Sequence, residues 1–143
     1  MPRVQVFLAA LLLSPSAIAG ELADKACVGV DSGSYTKYNQ CADAKYQEAE
    51  ADLRAYFSEV LESARNGPSS EEIASALNET QLAWVDFRGK TCELASWIEG
   101  YVYAPAKRSI CMLQMTKRRL VELRELHLCI KSEGYGGDCA FSQ

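Results

Sequence analysis

The clearest indication of the fold comes from residues 78–97, which read Asn-Glu-Thr-Gln-Leu-Ala-Trp-Val-Asp-Phe-Arg-Gly-Lys-Thr-Cys-Glu-Leu-Ala-Ser-Trp. On a helix, residues three or four apart lie on one face. One face therefore carries an amide, an indole, a guanidinium and a sulfur, from Gln81, Trp84, Arg88 and Cys92. A second row repeats in steps of four and three, which predicts a helix packed lengthwise against other helices. It consists of Ile73, Leu77, Thr80, Trp84, Phe87, Thr91, Leu94 and Ile98.

Two further amphipathic helices are predicted on either side. The first begins at residues 34–38 and ends at residues 66–68, Asn-Gly-Pro, because glycine favours the turn after a helix and proline cannot continue one. Its apolar row is Ala42, Tyr46, Ala49, Leu53, Tyr56 and Val60. Ser69 and Glu72 have the spacing of a capping box that opens the central helix. The third helix runs from about Lys107 to Ile130 and turns inward Leu113, Thr116, Leu120, Leu123, His127 and Ile130.

Short connections make successive helices antiparallel. The predicted fold class is therefore all-α, an up-down-up antiparallel three-helix bundle with room for short extra helices at its ends. Six cysteines allow about fifteen pairings, and the distance between helix ends removes most of them. We predict the disulfides Cys27–Cys41, Cys92–Cys111 and Cys129–Cys139. Each would stabilise the fold by about 2–4 kcal/mol.

The N-terminus predicts export. Residues 1–19 combine a basic start, a short apolar run and the small-x-small sequence Ala17-Ile18-Ala19, which is typical of a secretory signal peptide. Residues 20–143 are then a single helical disulfide-bonded domain in the periplasm or outside the cell. The apolar run is too short to span a bilayer, so we expect no integral membrane segment.

The net charge and the small number of metal-ligating residues limit the classes of partner and cofactor that the chain can bind. The chain has a net charge of -4, which becomes -5 when Arg3 leaves with the signal peptide. An acidic protein is a poor match for nucleic acid, and a good match for a cationic protein. With no Cys-x-x-Cys pair and His127 as the only histidine, we expect no metal and no cofactor.

Catalysis is not expected either. His127 lies on the apolar row of the third helix, and no sequence pattern places a serine or a reduced cysteine beside it. The carboxylates scatter over solvent-facing positions, whereas acid–base catalysis needs two of them in a cleft. We therefore interpret His127 as a structural, partly buried residue.

Two polar features carry alternative interpretations. Gln81 and Arg88 either form a recognition patch beside Trp84 or serve packing, with Arg88 donating to a neighbouring helix and Gln81 bonding a helix end. Tyr101 and Tyr103 lie in the predicted loop 100–106. They either form a contact surface or cap the end of the bundle.

The chain resembles the LprI-type lysozyme inhibitor domain family of bacterial exported proteins. The resemblance covers about Cys27 to Leu126 and rests on the order and spacing of Asn39-Gln40-Cys41-Ala42, Tyr46, Leu53, Leu77, Gln81, Trp84, Arg88, Cys92, Cys111, Thr116, Arg119, Glu122 and Leu123. It implies an all-helical, disulfide-bonded exported domain without catalytic activity that binds lysozyme. Two departures stand out: Glu99-Gly100 replaces a Gly-Gly pair associated with this loop, and Cys129 and Cys139 are additional.

The leading hypothesis is a monomeric, non-catalytic, lysozyme-inhibitor-like protein that binds a cationic cell-wall hydrolase. Its predicted contact residues are Glu99, Tyr101 and Tyr103. The alternative is a periplasmic helical interaction or lipid-binding module of the saposin type, although saposins have a Cys-x-x-Cys near each end. A small exported enzyme or toxin is a third class, and it would need a catalytic pair.

Overall fold

The computed structural model describes Cys27 and residues 34–66, 70–98 and 104–131. These residues form three α-helices, which we number α1 (Tyr35–Arg65), α2 (Ser70–Ile98) and α3 (Ala104–Lys131). No strand occurs in this part of the chain. The predicted signal peptide, residues 1–19, and the capping residue Ser69 lie outside the described residues.

The helices form the predicted up-down-up bundle. Contacts between α2 and α3 run in opposite chain directions, pairing Gln81 with Arg119, Arg88 with Thr116 and Cys92 with Cys111. Contacts between α1 and α3 run in the same direction, pairing Asp43 with Ser109 and Ser63 with His127. The most extensive interface is between α1 and α3, and α2 packs less extensively against both. None of the three helices is long and apolar enough to cross a membrane.

Helix α1 follows its sequence pattern closely. The side chain of Ser34 accepts a hydrogen bond from the backbone N–H of Lys37 at 3.4 Å, which caps an amide that the helix leaves free. The apolar row is confirmed, with Ala42, Ala49, Leu53 and Val60 buried. The last carbonyls are partly satisfied by the backbone N–H of Asn66.

The core consists of two clusters along the bundle axis. The first gathers Cys27 and small residues of α1 against the start of α3: Ala42, Ala49, Ala106, Ile110 and Leu113. The second joins all three helices through Leu53, Val60, Ala64, Leu77 and Leu123. Small alanines let α1 and α3 approach closely at one end, and branched side chains fill the other.

Two predicted disulfides are confirmed. Cys27 is bonded to Cys41, and Cys92 is bonded to Cys111 with the Cα atoms 5.4 Å apart. The first ties the leading segment to α1, and the second ties the end of α2 to the start of α3. Cys129 is also disulfide-bonded, and its predicted partner, Cys139, lies outside the described residues.

The start of α3 differs from the prediction. The helix begins at Ala104 rather than about Lys107, so Pro105 lies in its first turn and not in a loop. Proline is tolerated there because the first-turn N–H groups have no partner within the helix, and its ring holds the helical φ angle. The helix ends at Lys131, one residue beyond the prediction.

The predicted apolar seam of α2 is wrong in its second half. Leu77 is buried, but Phe87 is 59% exposed, Leu94 55% and Ile98 76%. The buried row is instead the polar one, with Arg88 2% exposed and Cys92 fully buried. The Cys92–Cys111 disulfide fixes the rotation of α2 about its axis. The Arg88 row therefore faces α1 and α3, and Phe87, Leu94 and Ile98 face outward.

Candidate functional site

A buried arginine forms the polar centre of the bundle. The guanidinium of Arg88 on α2 donates to the carboxylate of Glu50 on α1 and, at 2.6 Å, to the hydroxyl of Thr116 on α3. Glu50 keeps slight solvent access, with 16% of its side chain exposed. One side chain therefore links all three helices, and each charge has a partner of opposite sign or a hydroxyl.

The hydroxyl of Thr116 both accepts and donates. It accepts from Arg88 and donates to the carbonyl of Met112, one turn earlier on α3, at 2.7 Å. This arrangement uses a lone pair and the hydrogen of the same hydroxyl, so Thr116 is satisfied without water. A valine of the same shape would leave the guanidinium without this acceptor.

Aromatic rings surround the guanidinium. Arg88 lies 4.7 Å from the ring centroid of Trp84 and 5.6 Å from that of Tyr46, both within cation–π range. Arg119 also lies against Trp84, at 5.6 Å, while its Nε donates to Gln81 at 3.1 Å. Burial raises the pKa of the Tyr46 phenol above its usual value, so Tyr46 stays neutral beside the ion pair.

The burial of Arg88 bears on the two interpretations of the polar row. The guanidinium of Arg88 is buried and cannot contact a partner, so it serves packing, as one interpretation predicted. Gln81 bonds the side chain of Arg119 rather than a helix end, which corrects that detail. The sequence indicates Arg88 and Trp84 but not Glu50, because Glu50 lies at the edge of the apolar row of α1, beside the charged positions that face solvent.

A second polar cluster contains the only histidine. The Nδ1 atom of His127 lies 3.0 Å from the hydroxyl of Tyr56, and its Nε2 atom lies 2.8 Å from the hydroxyl of Ser63. The expectation that no serine lies beside His127 is therefore wrong. The contact joins α1 to α3 across 64 residues of sequence, so no local pattern could have shown it.

The environment of His127 keeps it neutral. The residue is 7% exposed, and burial, with help from the charge of Lys131, lowers the pKa of its imidazole below the usual 6.5. A neutral imidazole has one donor and one acceptor nitrogen, so one hydroxyl donates to the ring and the other accepts from it. Both ring nitrogens are satisfied in this form.

The Ser63–His127 contact has the distance of a nucleophile–base pair, but among the described residues the other parts of a hydrolytic site are missing. The group behind the imidazole is the Tyr56 phenol, where a triad has a carboxylate that stabilises the imidazolium. Both Ser63 and His127 lie within long helices, whose backbone N–H groups are bonded internally and cannot form an oxyanion hole. We interpret the cluster as structural.

Metal binding finds no support in the described residues. Within Cys27 and the three helices, no group of three or more His, Cys, Asp or Glu side chains is placed to hold an ion. The predicted contact residues Glu99, Tyr101 and Tyr103 lie outside the described part of the chain, directly after α2.

The outer face of α2 is a surface feature that the sequence did not predict. We define it as two exposed rows on this helix. The acidic row is Glu72, Glu79, Asp86 and Glu93, and the apolar row is Phe87, Leu94 and Ile98 with Trp97 beside it. Residues seven apart lie almost in line on a helix, so each row runs along the axis.

The described residues form a small, disulfide-bonded three-helix domain held together by an internal ion pair. The sequence model of the family described as Lysozyme inhibitor LprI matches residues 27–123. The chain belongs to this family, which confirms the resemblance. The matched segment contains α1, α2 and most of α3, together with the four cysteines of the two described disulfides.

Comparison with curated proteins gives a similar protein of undetermined role. The chain is 31% identical over 99 residues to "Uncharacterized protein R02472" of Rhizobium meliloti (strain 1021), covering 62% of this chain and 70% of that protein. No solved structure matches. The family, rather than a characterised relative, is therefore the basis for a function.

Proposed function

We propose that this protein is an exported, non-catalytic inhibitor that binds a cationic cell-wall hydrolase of the lysozyme type. The match to the lysozyme inhibitor family over residues 27–123 carries the proposal. Disulfides are consistent with an oxidising compartment, which fits secretion or the periplasm. A net charge of -4 would attract a cationic partner over distances of about 10 Å at moderate salt.

The proposed mode of action is occlusion. A bundle fixed by disulfides and an internal ion pair loses little conformational freedom on binding, which favours affinity. We place Glu99, Tyr101 and Tyr103 at or near the hydrolase cleft, because tyrosines offer a large amphipathic contact area and Glu99 adds a negative charge. The protein would act as a monomer.

A calorimetric titration of the disulfide-intact mature chain against c-type lysozyme tests this proposal. We expect saturable binding at low salt that weakens at physiological salt. Tyr101→Ala and Tyr103→Ala should each weaken binding, whereas Leu128→Ala, at an exposed position near the opposite end of the bundle, should not. Absence of binding at micromolar concentrations would remove the lysozyme proposal and leave the family and fold intact.

The alternative, a lipid-binding or other helical interaction module, predicts a different result. Saturable binding to phosphatidylcholine vesicles without lysozyme binding would favour it. Turnover of an ester or peptidoglycan substrate by the purified chain would favour an enzyme, and loss of that turnover in Ser63→Ala would assign it to the Ser63–His127 contact.

A further inference from the structure

We propose that the outer face of α2 is a docking surface for a cationic protein that presents apolar side chains beside its basic ones. This inference rests on the proposed function for the identity of the partner, and it assigns the contact to the helix in addition to the loop that follows it. The evidence for this surface is that an exposed apolar row runs beside an exposed acidic row on the same helix.

The apolar row is unusual for a helix end in a small bundle. Phe87, Leu94, Trp97 and Ile98 are all more than half exposed. Large aromatic and aliphatic side chains that stay in water gain free energy when a partner covers them, and tryptophan is enriched among residues that dominate binding. Their exposure follows from the rotation of α2, which the Cys92–Cys111 disulfide and the Arg88–Glu50 ion pair hold in place.

The acidic row lies next to it. Glu72, Glu79, Asp86 and Glu93 follow one another at intervals of seven residues and are all exposed. At 100° per residue, the arc from Glu93 to Ile98 covers about 140° of the helix circumference, and the row from Glu72 to Glu93 is about 30 Å long. The only basic residue within this arc is Lys90, which pairs with Asp86 at 2.7 Å.

The acidic row indicates which kind of molecule binds this face. In an antiparallel pairing of two copies through this face, the acidic row of one copy would lie against the acidic row of the other; in a parallel pairing it would lie against apolar side chains. Both arrangements are unfavourable, so a second copy is a poor match. Anionic lipid is repelled by the same row. A cationic protein satisfies both rows at once.

Two pairs of matched variants test the surface. The charge variant combines Glu79→Gln, Asp86→Asn and Glu93→Gln, and its control combines Asp52→Asn, Glu59→Gln and Glu62→Gln on exposed positions of α1, with the same change in net charge. The apolar variant combines Phe87→Ser and Leu94→Ser, and its control combines Val121→Ser and Leu128→Ser, exposed on α3. All four retain the buried ion pair and the cysteines.

With c-type lysozyme as the probe, we expect the apolar variant to bind about 30-fold more weakly than the wild type, as loss of a dominant contact implies. The charge variant should lose most of the salt dependence of binding. Each control should bind within about twofold of the wild type, in keeping with near-neutral positions outside an interface. If the wild type binds and the face variants match their controls, the docking surface is refuted and the proposed function stands.

A second probe keeps the test decisive if lysozyme does not bind. A synthetic amphipathic peptide of lysine and leucine, about 20 residues and hence about 30 Å when helical, matches both rows. We expect it to shift the amide NMR signals of residues 72–98 and the indole signal of Trp97, with reversal by salt. Shifts located elsewhere, no shifts, or dimerisation abolished by the apolar variant would overturn the proposal.

Discussion

Replacing Arg88 by methionine tests the internal architecture. The substitution keeps a long apolar side chain on α2 and removes the guanidinium that donates to Glu50 and Thr116. It leaves a carboxylate in a largely buried position without its cation, and breaking a buried pair in this way costs about 3–5 kcal/mol.

Two features of the site place the expected loss near the lower limit of that range. The side chain of Glu50 is 16% exposed and regains part of its hydration. The Nε of Arg88 has no hydrogen-bond partner among the described residues, so its removal relieves a cost of about 1–3 kcal/mol. Loss of the cation–π contacts with Trp84 and Tyr46 adds about 1 kcal/mol. We expect a net destabilisation of about 3 kcal/mol, a large part of the 5–15 kcal/mol typical of a domain.

Urea denaturation of the oxidised protein, followed by circular dichroism, measures this loss. The matched control is Lys90→Met, two residues along α2, where the side chain is 75% exposed and pairs with Asp86. An exposed pair contributes about 0–1 kcal/mol. The double variant Arg88→Met/Glu50→Met should be less destabilised than the sum of the single variants, because no uncompensated charge remains. Equal effects of Arg88→Met and Lys90→Met would refute the account of the buried pair.

Three further predictions concern the rest of the bundle. The pKa of His127 is lowered in the folded state, so the unfolded chain binds the proton more readily. The contribution of neutral His127 to the free energy of unfolding should therefore be fully present above pH 6.5 and should fall as the pH drops below that value. His127→Gln should reduce this pH dependence, measured by urea denaturation at several pH values. Gly89→Ala should stabilise the protein by about 0.5–1 kcal/mol, because glycine disfavours a helix interior and nothing lies within 4 Å of the added methyl; an unchanged or lower melting temperature would contradict this. Replacing Cys92 and Cys111 together by serine opens a loop with a sequence separation of 19 and should cost about 3 kcal/mol by the loop-entropy estimate, measured by urea denaturation.

Most of the fold could be predicted from the sequence because α1 and α3 each have one dominant apolar row. Leu53 and Val60 on α1, and Leu123 on α3, are buried as their spacing predicts. The predicted start of α3 is wrong because proline disrupts only the interior of a helix. Pro105 lies in the first turn, which accepts it.

Helix α2 was harder because two of its faces have helical spacing. Apolarity alone favoured the row containing Phe87 and Leu94, and both are exposed. The orientation depends on the Cys92–Cys111 disulfide and on the meeting of Arg88 with Glu50, which join separate parts of the chain. The cysteine pairing follows from the sequence, whereas the rotation that it gives α2 depends on the packing of the three helices, and the outer face depends on that rotation.

Inhibition can be measured as the rate at which c-type lysozyme clears a suspension of bacterial cell walls in the presence of increasing amounts of the disulfide-intact mature chain. We expect a dose-dependent loss of lysis that saturates near equimolar protein at low salt and is weakened in the Phe87→Ser/Leu94→Ser variant. Undiminished lysis at a large molar excess of the wild-type chain would contradict it.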